Sequence, residues 1–370
     1  MRNVLPEIKN INLKLERVLS AKNYALIKKI GRIADKYSLD AYLIGGFVRD
    51  LMLGVDLGID FDILIEPYSA EFIKDLTNQL NAQVKFYPLF KTAKLKLPEG
   101  IVVDIAAART ETYKFPAALP IVKLSSLKND LLRRDFIINT LALKLNKKGF
   151  GDLIDFLNAG KYIKEKKIRV LHELSFIDDP TRIFRAIRFE QRLNLQIDKY
   201  TQNLLKQALD AGMLDRLDAF RKTNELIFLL AEPNALKIII RLSDLVGFNF
   251  INSQLICNPK MLKGLQAVEK ILNVYRKSCL SFKVELWIVY LLGILDPLPL
   301  KDAEKTLKVF KFKLKVKKCL LFCRSNLNKI DISRQMSIRK FRDILEKFSF
   351  VDIEAILFLM SKSETKIDKN

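Results

Sequence analysis

The sequence predicts an α+β protein, with an amino-terminal unit of mixed strands and helices and an all-helical remainder. Three observations carry this. Short β-type runs recur before about residue 150, with helical stretches between them. Past about residue 165 the β signal fades and apolar residues repeat at helical spacing. The chain has 370 residues, 49% of them hydrophobic, which is too long for one compact core and apolar enough to fill more than one.

Taken in order, strands are expected over 41–44, 61–65, 83–87, 93–97, 101–106 and 141–145, where β-branched and aromatic residues cluster. Helices are expected between them over 21–36, 49–53, 70–80 and 131–139. Together these make a head over 1–150, a small β-sheet with flanking helices. Downstream, helical periodicity covers 182–193, 200–211, 221–230, 234–242, 259–276, 282–295, 301–310 and 339–348. Pro180, Pro233, Pro259 and Pro297 fall at helix starts or breaks. This divides the remainder into a neck over 151–235 and a body and tail over 236–370, with 361–370 a polar, frayed end.

The formal net charge is +22, an excess that favours a polyanionic partner, most simply nucleic acid. A genome bias that inflates lysine is the competing explanation. The four cysteines form no CxxC and His172 is the single histidine, which argues against structural zinc. The cysteines read as reduced thiols of a cytoplasmic protein. The first ten residues carry no apolar signal core. The apolar run over 286–295 is too short to span a bilayer and reads as a buried helix ended by Asp296 and Pro297.

Two stretches point to chemistry. In the first, the strand at 41–44 runs into Gly45 and Gly46, then into a helix opening that carries Arg49. Glycine permits unusual backbone angles and close ligand approach, and free amides at a helix start attract phosphate. Asp60 and Asp62 follow, flanking Phe61. In a strand, residues two apart share a face, so both carboxylates would point the same way. Two like charges that close repel unless a cation sits between them, and hard cations such as Mg2+ prefer oxygen ligands and phosphate. DxD alone is common in surface turns; after a Gly-Gly turn it gains weight. Asp104, in an apolar strand, needs a partner and is a candidate third carboxylate on the adjoining strand. A pair of metals there would activate a hydroxyl and stabilise a departing pyrophosphate.

The second stretch runs from Asp179 to Arg188. Pro180 suits a first helical turn, and steps of three set Asp179, Arg182, Arg185 and Arg188 in a slanting row. A carboxylate accepts and a guanidinium donates. Cytosine and adenine each present an amino donor beside a ring-nitrogen acceptor, so Asp179 with Arg182 would accept C and A and reject G and U. Arg185 and Arg188 remain for phosphates. The plain alternative is a solvated basic helix face capped by Asp179. A further cluster, 130–139, offers Arg133 or Arg134 to a phosphate or sugar. Asn139 would bond a ribose hydroxyl or a backbone group, and Asp135 would instead orient an arginine. Arg109 and Glu111 are either site edge or a structural ion pair.

The stretches LIGGFVRDLMLG, DFD, VVDIAAARTETY, DLLRRDFIINTLAL, IRVLHELSFIDDPTRIFRAIRFEQRL and RKTNELIFLLAE occur in this order over about residues 20–235. Together they resemble the class II tRNA nucleotidyltransferase and bacterial poly(A) polymerase family, within the polymerase-beta-like nucleotidyltransferase superfamily. The resemblance implies a head, neck, body and tail. Asp60 and Asp62 would bind Mg2+, and Asp104 matches an acidic head position of less uniform role. Gly46, Arg49, Arg134, Asp179, Arg182, Arg185 and Arg188 would contact the incoming nucleotide, with Gly45 in the same turn. The helical half would hold the tRNA acceptor end. Three departures stand out. The spacer from Gly54 to Asp60 is one residue longer than the family pattern. Asp178 replaces a usual glutamate. Past about residue 240 the likeness is only helical. The family includes CCA-adding, A-adding and poly(A)-adding enzymes that use CTP, ATP or both; CCA addition is the default expectation. The competing classes are a non-catalytic RNA-binding protein, which predicts salt-sensitive RNA affinity without product, and a basic helical scaffold that binds neither nucleotide nor RNA.

Overall fold

The computed structural model describes residues 5–58, 60–278, 284–326, 346 and 352–367. The chain divides into two compact units, Met1–Asp179 with Leu195–Leu205, and Pro180–Asn194 with Lys206–Asn370.

The first unit is built on eight strands: β1 (Glu7–Asn10), β2 (Asp40–Ile44), β3 (Phe61–Glu66), β4 (Gln83–Tyr87), β5 (Thr92–Lys96), β6 (Val102–Ala107), and, past a separate ribbon of β7 (Arg109–Thr112) with β8 (Ile121–Leu124), β9 (Leu141–Lys144) and β10 (Asp152–Asp155). Their order in the sheet is β1-β10-β9-β2-β3-β6-β5-β4. β3 and β6 run parallel and the other neighbours antiparallel. All six strands expected from the sequence are present, with ends within one residue. β1, β7, β8 and β10 are additional. They are short and carry charged or polar residues, so no alternating apolar run marks them.

Alternation along the strands decides what each face carries. Phe61, Ile63 and Ile65 of β3 and Val103 and Ile105 of β6 are buried. The opposite set includes Tyr42, Ile44, Leu64 and Ala142, which form a core cluster with Leu127 and Leu131 of α5 (Leu127–Leu132). Asp62 and Asp104 belong to this second set.

Earlier helices of the unit are α1 (Asn12–Val18), α2 (Ala21–Lys36), α3 (Gly46–Leu53) and α4 (Ala70–Gln79). Helix α2 starts where the Ser20 side chain accepts from Asn23 N at 3.2 Å. It buries Leu26, Ile27, Ile30, Ile33 and Ala34 on one stripe. Gly31 lies on that stripe against the end of β9, where a Cβ would fall 1.7 Å from the Leu145 carbonyl oxygen. Only hydrogen fits there.

The helix expected over 131–139 is replaced by α5, which starts earlier, and by a 3-10 turn over Ile137–Asn139. The Ser126 side chain caps the earlier start. The Asp135 carboxylate then accepts from Phe136 N at 2.9 Å and from Asn139 Nδ2 at 2.8 Å. These bonds compete with the helix ladder and leave Phe136 extended. The unit continues through α6 (Ala159–Lys164) and α7 (Ser175–Asp178), and a two-residue ladder, β11 (Lys167–Ile168) with β12 (Gln196–Ile197), adds to this helical stretch.

The second unit contains α8 (Thr181–Arg192), α10 (Ala219–Leu230), α11 (Ala235–Leu245), α12 (Pro259–Lys277), α13 (Leu286–Leu295), α14 (Leu300–Val309), α15 (Leu314–Asn326) and α16 (Ile353–Ile367); α9 (Lys199–Asp210) links the units. Helix α8 packs on α10 and α11, and α12 on α13 and α16. Every residue of α13 from Trp287 to Leu295 is buried, as its unbroken apolar sequence requires. Among the described residues no helix is long and apolar enough to cross a membrane. The expected helix over 339–348 lies outside the described residues except Glu346, which is helical. The expected polar end at 361–370 is helical through Ile367, and 368–370 lie outside the described residues. Cys319 and Cys323 are buried thiols and Cys257 is partly exposed. Cys279 lies outside the described residues.

Candidate active site

The parallel register pairs Asp62 with Asp104 directly across β3 and β6. Asp60 stands just ahead of β3 and is exposed. The Asp62 side chain opens on a cleft while neighbouring atoms hem in its carboxyl. Burial pushes its pKa up; the charges of Asp104 and Asp60 add to the rise, and Arg134 and Lys94 oppose it. The three carboxylates therefore share one field.

The glycine turn stands beside them. Gly45 has φ 70° and ψ −135°, a conformation that an L side chain rarely adopts. A Cβ on Gly45 would come within 3.3 Å of Asp62 Oδ2 and 3.4 Å of Arg134 Nη1. One glycine thus touches a candidate metal carboxylate and a candidate phosphate arginine. Gly46 opens α3, and a Cβ there would meet Arg49 Nη2 at 3.4 Å.

Arg49 is buried. It donates to Asp50 at 2.7–2.8 Å and to Asn139 Oδ1 at 2.9 Å. Asn139 is held in turn by Asp135. Asp135 thus orients an asparagine, and through it an arginine. The two neighbouring arginines have separate surroundings. Arg133 is bound to Asp130, Glu111 and the Arg109 carbonyl. Arg109 joins Glu111 at 3.3 Å, which makes this pair part of a structural ion-pair cluster. Arg134 donates to Asp130 Oδ2 at 3.1 Å and to the Asn139 carbonyl at 3.3 Å, and lines the cleft with Asp62. Its Nε is buried without a hydrogen-bond partner, a donor in need of an acceptor. Asp130, fully buried, holds both arginines.

The cleft measures about 330 Å3 and is lined by Ile44, Asp62, Tyr87, Lys94, Asp104 and Arg134 among others. Two polar residues of this lining, Tyr87 and Lys94, carried no signal in the motifs. Lys94 pairs with Asp104 at 2.7 Å, and that hydrogen bond holds its ammonium pKa up. Lys85 lies over the Tyr87 ring at 5.3 Å. The available signal was the alternation Thr92, Lys94, Lys96 in a strand whose other residues, Ala93 and Leu95, are buried.

The remaining candidates lie further along the chain. Asp179 ends α7 with φ −136° and ψ 91°. Pro180 then starts α8, whose first turn holds buried Arg182. Arg185 sits 5.5 Å from the Phe189 ring, and Arg188 lies 5.2 Å from Phe228. Burial lowers the Arg188 pKa, and its Nε is buried without a hydrogen-bond partner. Asp62, Asp104, Gly45, Gly46, Arg49 and Arg134 are thus gathered in the first unit, while Arg182, Arg185 and Arg188 belong to the second.

The donor set suits a hard divalent cation. It is all oxygen, and Asp62 carries a carboxylate whose charged form is disfavoured by burial and by Asp104; an adjacent cation relieves both. Among the described residues, however, no group of three aspartate, glutamate, histidine or cysteine side chains is drawn up as a metal cage. Asp104 has Lys94 instead.

This arrangement has close counterparts. Residues 41–169 match the Poly A polymerase head domain. An A-adding tRNA nucleotidyltransferase of Geobacter sulfurreducens is 45% identical over 77% of this chain and 32% of its own length. A solved CCA-adding enzyme, apo form II, superposes with a TM-score of 0.79 at 31% identity, covering 96% of this chain and 84% of that one. The chain belongs to the tRNA nucleotidyltransferase and poly(A) polymerase family. Another of its members, a Thermotoga maritima CCA-adding enzyme complexed with tRNA, superposes at 0.74 with 30% identity over 96% of this chain and 84% of that one. The chain spans about a third of the length of the Geobacter relative.

Proposed function

We propose that this family member is a nucleotidyltransferase that extends the 3′ end of tRNA from CTP or ATP and releases pyrophosphate. The carrying observation is the meeting of Gly45, Asp62 and Arg134 beside Asp104 in one cleft. The family's solved members with 30% and 31% identity support it. In this reading residues 1–150 form the catalytic head, 151–235 the base-reading neck, and 236–370 the body and tail that hold the acceptor end. A cytoplasmic site of action goes with that substrate.

Asp60 and Asp62 would hold Mg2+, which when bound supplies positive charge against phosphate oxygens and eases ionisation of a hydroxyl. The rest falls to the chain. Gly45 leaves room for phosphate oxygens where a Cβ would press on the Asp62 and Arg134 side chains at 3.3 and 3.4 Å. Arg134, which lines the cleft beside Asp62, offers its guanidinium charge to the triphosphate. Asp135, through Asn139, holds Arg49 rigid behind Gly46. Asp179 and Arg182 read the base by accepting from the amino group and donating to the ring nitrogen. Arg185 and Arg188 serve phosphates. The RNA 3′-hydroxyl attacks the α-phosphate, and its bond to the β,γ-pyrophosphate breaks.

The nucleotide set has two readings. CCA addition is the default, because the motifs are shared by all three activities and a cell needs CCA ends and often has one enzyme for them. Addition of the terminal A alone is favoured by the 45% identity to the A-adding Geobacter relative. One experiment separates them: tRNAs ending before CCA, after C and after CC, each incubated with CTP, ATP or both. Extension of all three with both nucleotides marks a CCA-adding enzyme. Extension of only the CC-ended tRNA, by one A, marks an A-adding enzyme. Long A tails mark a poly(A) polymerase. No incorporation in any tube overturns the proposal.

A further inference from the structure

We propose that Lys94 sets the divalent-cation affinity of the head cleft by holding Asp104 out of metal coordination, so that the cation enters with the nucleotide's phosphates rather than ahead of them. This rests on the nucleotidyltransferase reading of the cleft.

The sheet register puts three charged side chains in line across adjacent strands: Asp62 on β3, Asp104 on β6 and Lys94 on β5. They belong to the same face and line the same cleft. Lys94 Nζ lies 2.7 Å from Asp104 Oδ2, and both side chains are about half-exposed, 49% and 40%. An ion pair this open contributes little to stability, so its effect is to be sought in the cleft. There it removes one carboxylate from the donor set. Without Lys94, Arg134 alone would face the charges of Asp60, Asp62 and Asp104, and the three carboxylates would draw in a free divalent cation more strongly. With Lys94 in place Asp104 is neutralised from the side away from Asp62, and no three-carboxylate cage forms among the described residues. Two carboxylates are a sparse set for Mg2+, which commonly completes its shell with waters and substrate phosphates. Lys94 is therefore a positioning residue, acting through Asp104.

The test is equilibrium binding of Mn2+ to the full-length protein, read by the EPR signal of the free ion, with and without ATP. Lys94→Met removes one positive charge a few ångströms from a divalent site and is expected to tighten Mn2+ binding without nucleotide by roughly tenfold. Lys94→Arg keeps the charge and is expected to bind as wild type. Adding Asp104→Asn to Lys94→Met is expected to cancel the gain. With ATP present the difference between wild type and Lys94→Met is expected to narrow, because phosphate oxygens then complete the shell. Unchanged or weaker binding by Lys94→Met overturns the inference, as does a gain that survives Asp104→Asn or persists in full with ATP. Asp62→Asn distinguishes the two levels. If it leaves wild-type Mn2+ binding intact, the metal site itself is wrongly placed and both readings fall. If it abolishes binding while Lys94→Met changes nothing, the nucleotidyltransferase reading stands and this one falls.

Discussion

Asp62 is held in a cleft that disfavours its own charge. Its carboxyl pKa is raised by burial and by the neighbouring Asp104, so the folded chain keeps that proton to a higher pH than the unfolded chain does. Between the ordinary carboxylate pKa and the raised one, the folded state binds more protons and stability falls as pH rises. Near neutral pH the whole loss has been incurred. Asp62→Asn should therefore raise the melting temperature near neutral pH in EDTA, and the gain should vanish as pH drops below the ordinary carboxylate range. A thermal melt series against pH checks this. The same substitution, and Asp60→Ala, should reduce nucleotide incorporation to background while tRNA affinity, measured by filter binding, changes little. Normal turnover by Asp60→Ala would remove the metal assignment. Asp179→Ala should loosen the choice among nucleotides more than it weakens tRNA binding, and competition among the four nucleoside triphosphates measures it. Much of the head was legible at this scale. Gly45 and the DFD run announce themselves by spacing, and Gly45 stands against Asp62, which lines the cleft. What spacing did not disclose was which of two adjacent arginines faces it. Arg133 and Arg134 differ only in where a six-residue helix happens to stop, and the competing bonds of Asp135 that shape the next turn are made through side chains.

Helices and strands were legible wherever one face is apolar and the other is not. β5, β6 and α2 follow this rule, β2 and β9 are apolar on both faces, and β4 is an exposed edge strand marked only by its residue types. Edge strands such as β1, exposed throughout, owe their conformation to a partner distant in sequence, and periodicity carries no trace of it. The tightest seam between elements is at Gly31, where α2 meets the end of β9. Gly31→Ala would drive a methyl group into the Leu145 carbonyl, which sits on backbone and yields little. The expected cost is about 3 kcal/mol of folding stability, checked by urea denaturation. Gly264→Ala, with nothing within 4 Å of its new Cβ in α12, should instead be neutral or slightly stabilising.

For the molecule as a whole, the charge of +22 is an electrostatic statement about partners. If the second unit grips an RNA backbone, affinity must fall steeply with salt. Neutralising on the order of six phosphates would cost roughly a thousandfold between about 50 and 200 mM monovalent salt. A flat salt profile would attribute the lysines to genome composition. Composition signalled a polyanion but not where it binds, because lysines distributed over a helical unit have no spacing rule comparable to a catalytic motif.

The facing of Asp62 and Asp104 also has a bearing on how this frame tolerates drift. Their orientation is dictated by the buried residues on either side, Phe61 and Ile63 in one strand, Val103 and Ile105 in the other, and not by the connection leading in. A longer lead-in ahead of Asp60 would be taken up before the strand begins. A single residue inserted after Phe61 would instead invert the strand, turning the acid inward and the oil outward. Length variation in such enzymes should therefore collect ahead of the first aspartate and stop abruptly at it.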